Sequence, residues 1–310
     1  MSSSLIHSAV TIMTPLLFAA LGGLFTELGG MLTIALDGLL LTGAFAGVVF
    51  AHWTGSLLGG ALFGGLAGMT LAAAVGGVTL KLKANVFITG LAANLFAGGI
   101  TVVLGRRLFA TRGVVVFNDL PRLPVITLPV IDGIPILGDL LSGHTPYVYA
   151  SWGFLAAAWF MLYRTPQGFR LRGCEKSGEA LESLGLKPDR LRFAAFLISG
   201  FVCGLGGSYL TLNLQAFVPQ ISAGKGWIAL VVIFLGGRRP QGLWPAAFLF
   251  GLAEAFSNFA QGAFNVPADF ILAIPHLWTL LVMIGVSIYT KNKRAFAGLA
   301  QDHTKSHRTP

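Results

Sequence analysis

Charge is scarce in this chain. Only 11% of its 310 residues are Asp, Glu, Lys or Arg, and no Lys or Arg precedes Lys81. The opening "MSSSLIHSAV" therefore lacks the basic front end of a secretory signal peptide. Cysteine is almost absent. Cys174 sits in a charged stretch and Cys203 in an apolar run, so no disulfide framework is expected. The histidines, His7, His52, His144, His276, His303 and His307, are scattered, and no metal-ligand cluster forms from them. No glycine-rich turn leads into Lys-Ser or Lys-Thr, and no nucleophile elbow occurs. The expectation is a chain that is not an enzyme, holds no metal and binds no cofactor of its own.

What is present is apolar sequence. Hydrophobic residues make up 55% of the chain, with 41 glycines, and the mean hydropathy is +0.76. Apolar runs near twenty residues long recur, each able to cross a hydrocarbon core of ~30 Å as a helix. They do not alternate as the strands of a membrane barrel would. The fold class is therefore all-α, a polytopic transmembrane helical bundle. Nine spans are expected: Ala9–Phe25, Gly29–Trp53, Leu57–Leu80, Ala84–Leu104, Tyr147–Tyr163, Phe193–Leu214, Trp227–Gly236, Leu243–Phe259 and Phe270–Tyr289. The seventh is short enough to be a partial span. Residues 1–300 read as a single transmembrane domain, with a polar, disordered cytoplasmic tail at 301–310.

The formal net charge is +9. Beside membrane spans such bases set topology, so no nucleic-acid partner is expected. Arg164, Arg170, Arg172, Lys176, Lys187, Arg190 and Arg192 follow the fifth span, and Lys291, Lys293, Arg294, Lys305 and Arg308 follow the ninth. Both groups belong inside, which puts the N-terminus outside. The connection 105–146 then falls outside, although it carries Arg106, Arg107, Arg112 and Arg122. Pro121, Pro124, Pro129 and Pro135 exclude a regular helix through most of it. Its apolar "VITLPVIDGIPILG" predicts an ordered cap, with a short helix at Ile136–Leu141. A thiol placed at position 144 is expected to be reachable from outside.

The charge that exists is concentrated. "RGCEKSGEALESLGLKPDRLR", Arg172–Arg192, lies within the loop 164–192 and holds nine charged residues. Ser177 can cap a helix start, with Glu179 in its first turn. Ala180, Leu181 and Leu184 share one face, apart from Glu179 and Glu182. Gly185 suits the left-handed position after a helix end, Leu186 can fold back, and Pro188 blocks continuation. The result is a helix of about two turns, too short to stand alone in water. It is either a solvated linker or a docking element for a cytoplasmic partner.

Polar residues inside the apolar runs mark either a translocation path or interhelix bonds. Asp37 and Glu254 fall within spans, Glu27 lies at the break between the first two, and Asn94, Asn213, Gln215 and Asn258 are further candidates. "ELGGMLTIALDG" combines two acids with Gly29, Gly30 and Gly38, which predicts a broken helix. Gly60, Gly64 and Gly68 recur at four-residue spacing, a bare face for close helix packing within the chain or between two copies.

Five stretches together resemble the permease subunits of bacterial ABC importers, in the branched-chain amino acid/simple sugar permease superfamily and its nucleoside and simple-sugar branch. They are "TPLLFAALGGLFTELGGMLTIALDGLLLTGAF", with Gly30, Ile34, Leu36, Gly38 and Gly43; "KLKANVFITGLAANLFA", with Asn85, Thr89, Gly90 and Asn94; the charged stretch, with Gly173, Glu175, Ala180, Gly185 and Arg190; "SGFVCGLGGSYL"; and "SAGKGWIALVVIFLGGRRPQG". Each is glycine-dominated, but five in order over Thr14–Phe256 are specific. Thr33 and Asp37 depart from the usual Asn and Glu.

The resemblance implies that the charged stretch is a coupling helix seated in an ATPase subunit. Glu175, Lys176, Glu179, Leu181, Glu182, Leu184, Gly185 and Leu186 would make the contact, with Arg190 and Arg192 anchoring it. It further implies two ATP-binding cassette subunits carrying ATP and Mg, and a second permease subunit, identical or related. A substrate-binding protein would dock outside, with nucleosides or simple sugars as cargo. The bacterial cytoplasmic membrane is the implied location. Import of branched-chain amino acids or urea by the same architecture is the near alternative, and a stand-alone ion-coupled carrier or channel the distant one.

Overall fold

The computed structural model describes residues 2–111, 113–127, 137–176 and 178–263. Its described residues are mainly helical: α1 (Ser2–Leu28), α2 (Leu36–Thr54), α3 (Leu57–Lys81), α4 (Val86–Phe109), α5 (Leu137–Leu141), α6 (Pro146–Arg164), α7 (Pro166–Lys176), α8 (Gly178–Ser183), α9 (Pro188–Leu214), α10 (Lys225–Leu235) and α11 (Pro240–Ala263). The strands β1 (Val115–Val116) and β2 (Ala216–Phe217) form one antiparallel pair. The chain divides into two units, Met1–Phe256 and Ser257–Pro310; everything below concerns the first unless stated. Five described helices, α1 (from Leu5), α2, α3, α4 and α9, are long and apolar enough to cross a membrane. The expected ninth span and the tail, Ser177, Arg112 and Ile136 lie outside the described residues.

The bundle is organised around α9, which packs on α1, α2 and α3. Small residues make this possible. The Gly60–Gly64–Gly68 face turns inward, against α2 and α9 of the same chain. A Cβ at Gly60 would lie 2.6 Å from the Gly47 carbonyl oxygen, and one at Gly64 2.8 Å from Ser208 Cβ. One at Gly68 would lie 2.9 Å from Gly204 Cα. Within a bilayer helices gain little from hydrophobic burial, so this close backbone approach, with its dispersion contacts, carries the association. Gly64→Leu is expected to cost ~1–3 kcal/mol as an overpacked site, or to splay the three helices. A lowered thermal midpoint in detergent, with membrane insertion intact, checks this.

Two segments depart from simple spans. The expected second span, Gly29–Trp53, is helical only from Leu36. Residues 29–35 are non-helical, with Gly30 at φ 77°. α10 has only eleven residues, about 16 Å of helix, half a span. The sixth span also starts earlier than expected, because Pro188 serves as the first residue of α9. Arg190 and Arg192 are therefore helical residues rather than loop.

The long connection is an ordered cap where it is described. β1 pairs with β2, Phe117 N–H donates to the Gln215 carbonyl (2.9 Å), and Gln215 Nε2 donates to the Leu120 carbonyl (2.6 Å). His144, in the same cap, is 1% exposed, so position 144 is a poor labelling site despite its place in a loop.

Candidate functional site

The break in the second span is positioned by α4. Asn94 lies eight residues into that helix, about 12 Å from its start. Its side chain accepts from Gly38 N–H (2.7 Å) and donates to the Ile34 carbonyl (2.9 Å). The irregular segment thus crosses roughly the first third of a span. Non-helical backbone is tolerable at that depth only against protein or along a water-filled path. Here Gly90 lets the segment come close: a Cβ there would lie 3.0 Å from Ala35 N. The segment's own turn is closed by Gly30 N–H to the Glu27 carbonyl and Met31 N–H to the Thr26 carbonyl.

Asp37, in the first turn of α2, meets the start of α10. Its Oδ1 accepts from Gly226 N–H (3.1 Å) and its Oδ2 from Ser222 Oγ (3.0 Å). The carboxylate caps α10 from another helix and faces the positive end of its dipole. Gly226 is required here, because any Cβ would run into the Asp37 backbone. One residue before it, Lys225 Nζ pairs with Glu254 Oε1 of α11 at 2.6 Å, with the lysine side chain only 14% exposed. Lys225 and Glu254 therefore pair with each other, while Asp37 is met by hydrogen-bond donors at a helix start, both usual conditions for keeping charge at such depth.

At the α10 C-terminal end lies the charged stretch. Arg238, at φ 57°, bridges two acids. Its Nε is 2.9 Å from Glu27 Oε1 at the end of α1, and its Nη2 contacts Glu175 Oε1 on α7. Arg192 of α9 completes the clasp by donating to the Gly29 carbonyl (3.2 Å) and the Cys174 carbonyl (3.1 Å). One loop is thus tied to α1, to the broken segment, to α9 and to α10. Glu175 Cα lies 3.0 Å from where a Cβ on Gly30 would sit.

Beyond the clasp, α8 ends as its sequence dictates. Gly185 takes φ 75°, Leu186 N–H donates to the Leu181 carbonyl and Gly185 N–H to the Glu182 carbonyl. This double bond pattern is the Schellman motif. The apolar face is not uniform, however. Leu181 leans on Gly173 of α7, whereas Leu184 is 75% exposed. Glu175, Lys176, Glu179 and Glu182 are exposed, and together with Arg192 they border a surface recess of about 620 Å³.

The remaining candidates scatter. Asn213 is exposed near the opposite end of α9, and Asn258 is an exposed α11 residue in the second unit. Arg238, Lys225 and Ser222 were missed as site residues. Lys225 carries a signal in the sequence: a lysine opening an apolar run calls for an acid partner. Arg238 was legible only as a topology marker.

No solved structure matches the chain. Among characterised relatives, it is 29% identical over 285 residues to the nucleoside ABC transporter permease protein NupC of Lactococcus lactis subsp. cremoris, covering 87% of this chain and 88% of that protein. It is 28% identical over 292 residues to the guanosine ABC transporter permease protein NupQ of Bacillus subtilis, covering 91% and 92%. It is 29% identical over 265 residues to a putative glucose ABC transporter permease of Haloferax volcanii, covering 84% and 78%. Residues 5–290 match the family model described as branched-chain amino acid transport system / permease component. The chain, a multi-pass membrane protein, belongs to that permease family.

Proposed function

We propose that this chain is the membrane-spanning subunit of an ATP-driven ABC importer and forms the translocation path for nucleosides or simple sugars. One observation supports this above the others: an exposed helical turn is clasped, through Arg238 and Arg192, to both elements that break within the membrane. A motor gripping α7 and α8 would move Glu175. Arg238 would pass that displacement to the α10 end and to Glu27, and Arg192 would pass it to Gly29. α2 and α10 meet at Asp37, so they would shift together and change access from one side of the membrane to the other.

In this reading two ATP-binding cassette subunits, which carry ATP and Mg, seat the charged turn. Glu179, Glu182, Leu184, Gly185 and Leu186 make the contact, and Arg190 holds the start of α9 beside the membrane. A second permease subunit, identical or related, completes the path, and a substrate-binding protein delivers cargo at the β1–β2 end. The relatives named for nucleoside and guanosine transport support nucleosides over branched-chain amino acids. Excess unlabelled ribonucleoside should compete in an uptake assay of the whole complex, and leucine should not. Competition by leucine alone would refute the cargo.

The charged end faces the cytoplasm and the cap faces outward. Val125 is 60% exposed and Glu179 is exposed. A cysteine at position 125 should react with an impermeant reagent from outside, and one at position 179 only after the membrane is opened. The reverse pattern refutes the orientation.

A further inference from the structure

One apolar recess in the unit stands apart from the clasp. It lies between α6 and the α3–α9 pair, with α1 as its floor, and holds about 430 Å³. Its walls are Phe154, Ala157 and Met161 of α6, Ile198 and Phe201 of α9, and Met69 of α3. The remaining lining residues, on the same helices and on α1, are equally apolar. A nucleoside or sugar would lose every hydrogen bond there, so it is not a cargo site. α6 is held on α9 above the recess, where Tyr147 Oη meets Ser208 Oγ at 3.0 Å, and it packs on α7 below it. Between these points no described residue closes the crevice on one side, and its helices α1, α3 and α9 are long and apolar enough to span a membrane. A lining of this kind gains dispersion contacts from an apolar occupant, and the solvent around a membrane span is hydrocarbon.

Beyond the cavity's own lining, helical spacing carries the stripes of α6 and α9 to an arginine each. On α6 the lining stripe Ala157–Met161 continues, at helical spacing, to Arg164. On α9 the stripe Phe201–Ile198 continues through Ala194 to Arg190. Both arginines are exposed, and neither is among the ion pairs of the described residues. Arg164 stacks over Trp159, its Cζ 5.6 Å from the ring centroid, an arrangement suited to the headgroup level of a bilayer. Both residues lie at the end where basic residues accumulate.

We infer that this crevice is a site for an anionic glycerophospholipid: one acyl chain fills it, and the phosphate sits between Arg164 and Arg190. The lipid then wedges α6, the helix that leads directly into α7 and α8, against the rest of the bundle. The site stands independently of which cargo the permease carries.

The test uses the full-length chain reconstituted in vesicles of phosphatidylglycerol and phosphatidylcholine, with a trace of either lipid carrying a diazirine in its acyl chain. After illumination, labelled peptides are mapped. Phosphatidylglycerol should label residues 154–161 and 197–202 well above the exposed lipid face of α4 at Leu91 and Leu95. Arg164→Gln and Arg190→Gln should each lower that preference about fivefold, the contribution expected of one basic residue at a membrane surface. Phosphatidylcholine labelling should be unaffected. Ala157→Trp should fill the crevice and abolish labelling there while leaving α4 labelling unchanged, which shows that the variant is folded. Equal labelling of the crevice and α4 by both lipids would overturn the inference. So would cross-links from the crevice to residues 264–310 or to a second copy of the chain.

Discussion

Leu184→Asp should abolish ATP-dependent uptake and release the ATPase subunits, while the chain still inserts and folds. Leu184 is 75% exposed at the end of α8 and contributes nothing to the bundle's interior. An exposed substitution of this kind normally alters stability by no more than ~0.5 kcal/mol. In a docked state the same leucine would be buried. Losing its burial costs ~1.5–3 kcal/mol, and placing an unpaired carboxylate in the groove costs more. Affinity for the motor should fall at least tenfold to a hundredfold. Leu181→Asp is the less clean experiment, because Leu181 also packs on Gly173 and its loss disturbs α7 against α8. Co-purification of the ATPase with the Leu184→Asp variant at wild-type yield would contradict the docking role.

Asp37→Ala should reduce transport more than tenfold with little change in expression. The substitution strands Gly226 N–H and Ser222 Oγ and removes the negative charge facing the start of α10. Hydrogen bonds to a charged group contribute ~1.5–3 kcal/mol each, and the dipole interaction adds ~0.3–1 kcal/mol. α10 should then loosen from α2, so displacement arriving at Arg238 would no longer be shared between the two helices. Asp37→Asn keeps one acceptor oxygen and should fall between the two. Uptake per molecule in vesicles, normalised to protein in the membrane, separates the outcomes. A fall in expression with normal uptake per molecule would make Asp37 purely structural.

Much of the bundle was legible because bilayer physics leaves few options. Long apolar runs must be helices, and the third span, expected at Leu57–Leu80, is observed as Leu57–Lys81. The Gly185–Leu186–Pro188 ending of α8 follows from local backbone preferences alone, and so was readable. The extent of the break was not. Gly29 and Gly30 announced an interruption, but the restart at Leu36 is held by Asn94, fifty-six residues beyond Gly38, which bonds the backbone on both sides of it. The clasp was hidden for the same reason. Glu27, Glu175 and Arg238 are remote in sequence, and each taken alone is an ordinary charge near a membrane surface. Asp37 was visible as an acid inside a span, but its partner is a backbone N–H at Gly226, and no pattern of residue types reveals that.

A separate ATP-hydrolysing motor, on the proposed reading, drives this bundle through α7 and α8. Proteoliposomes decide it most directly, with radiolabelled nucleoside and the binding protein outside. Uptake should require both the ATPase subunits and ATP, and should vanish when either is omitted, whatever ion gradient is imposed. Uptake by the chain alone, driven by an ion gradient and collapsed by an uncoupler, would contradict the account.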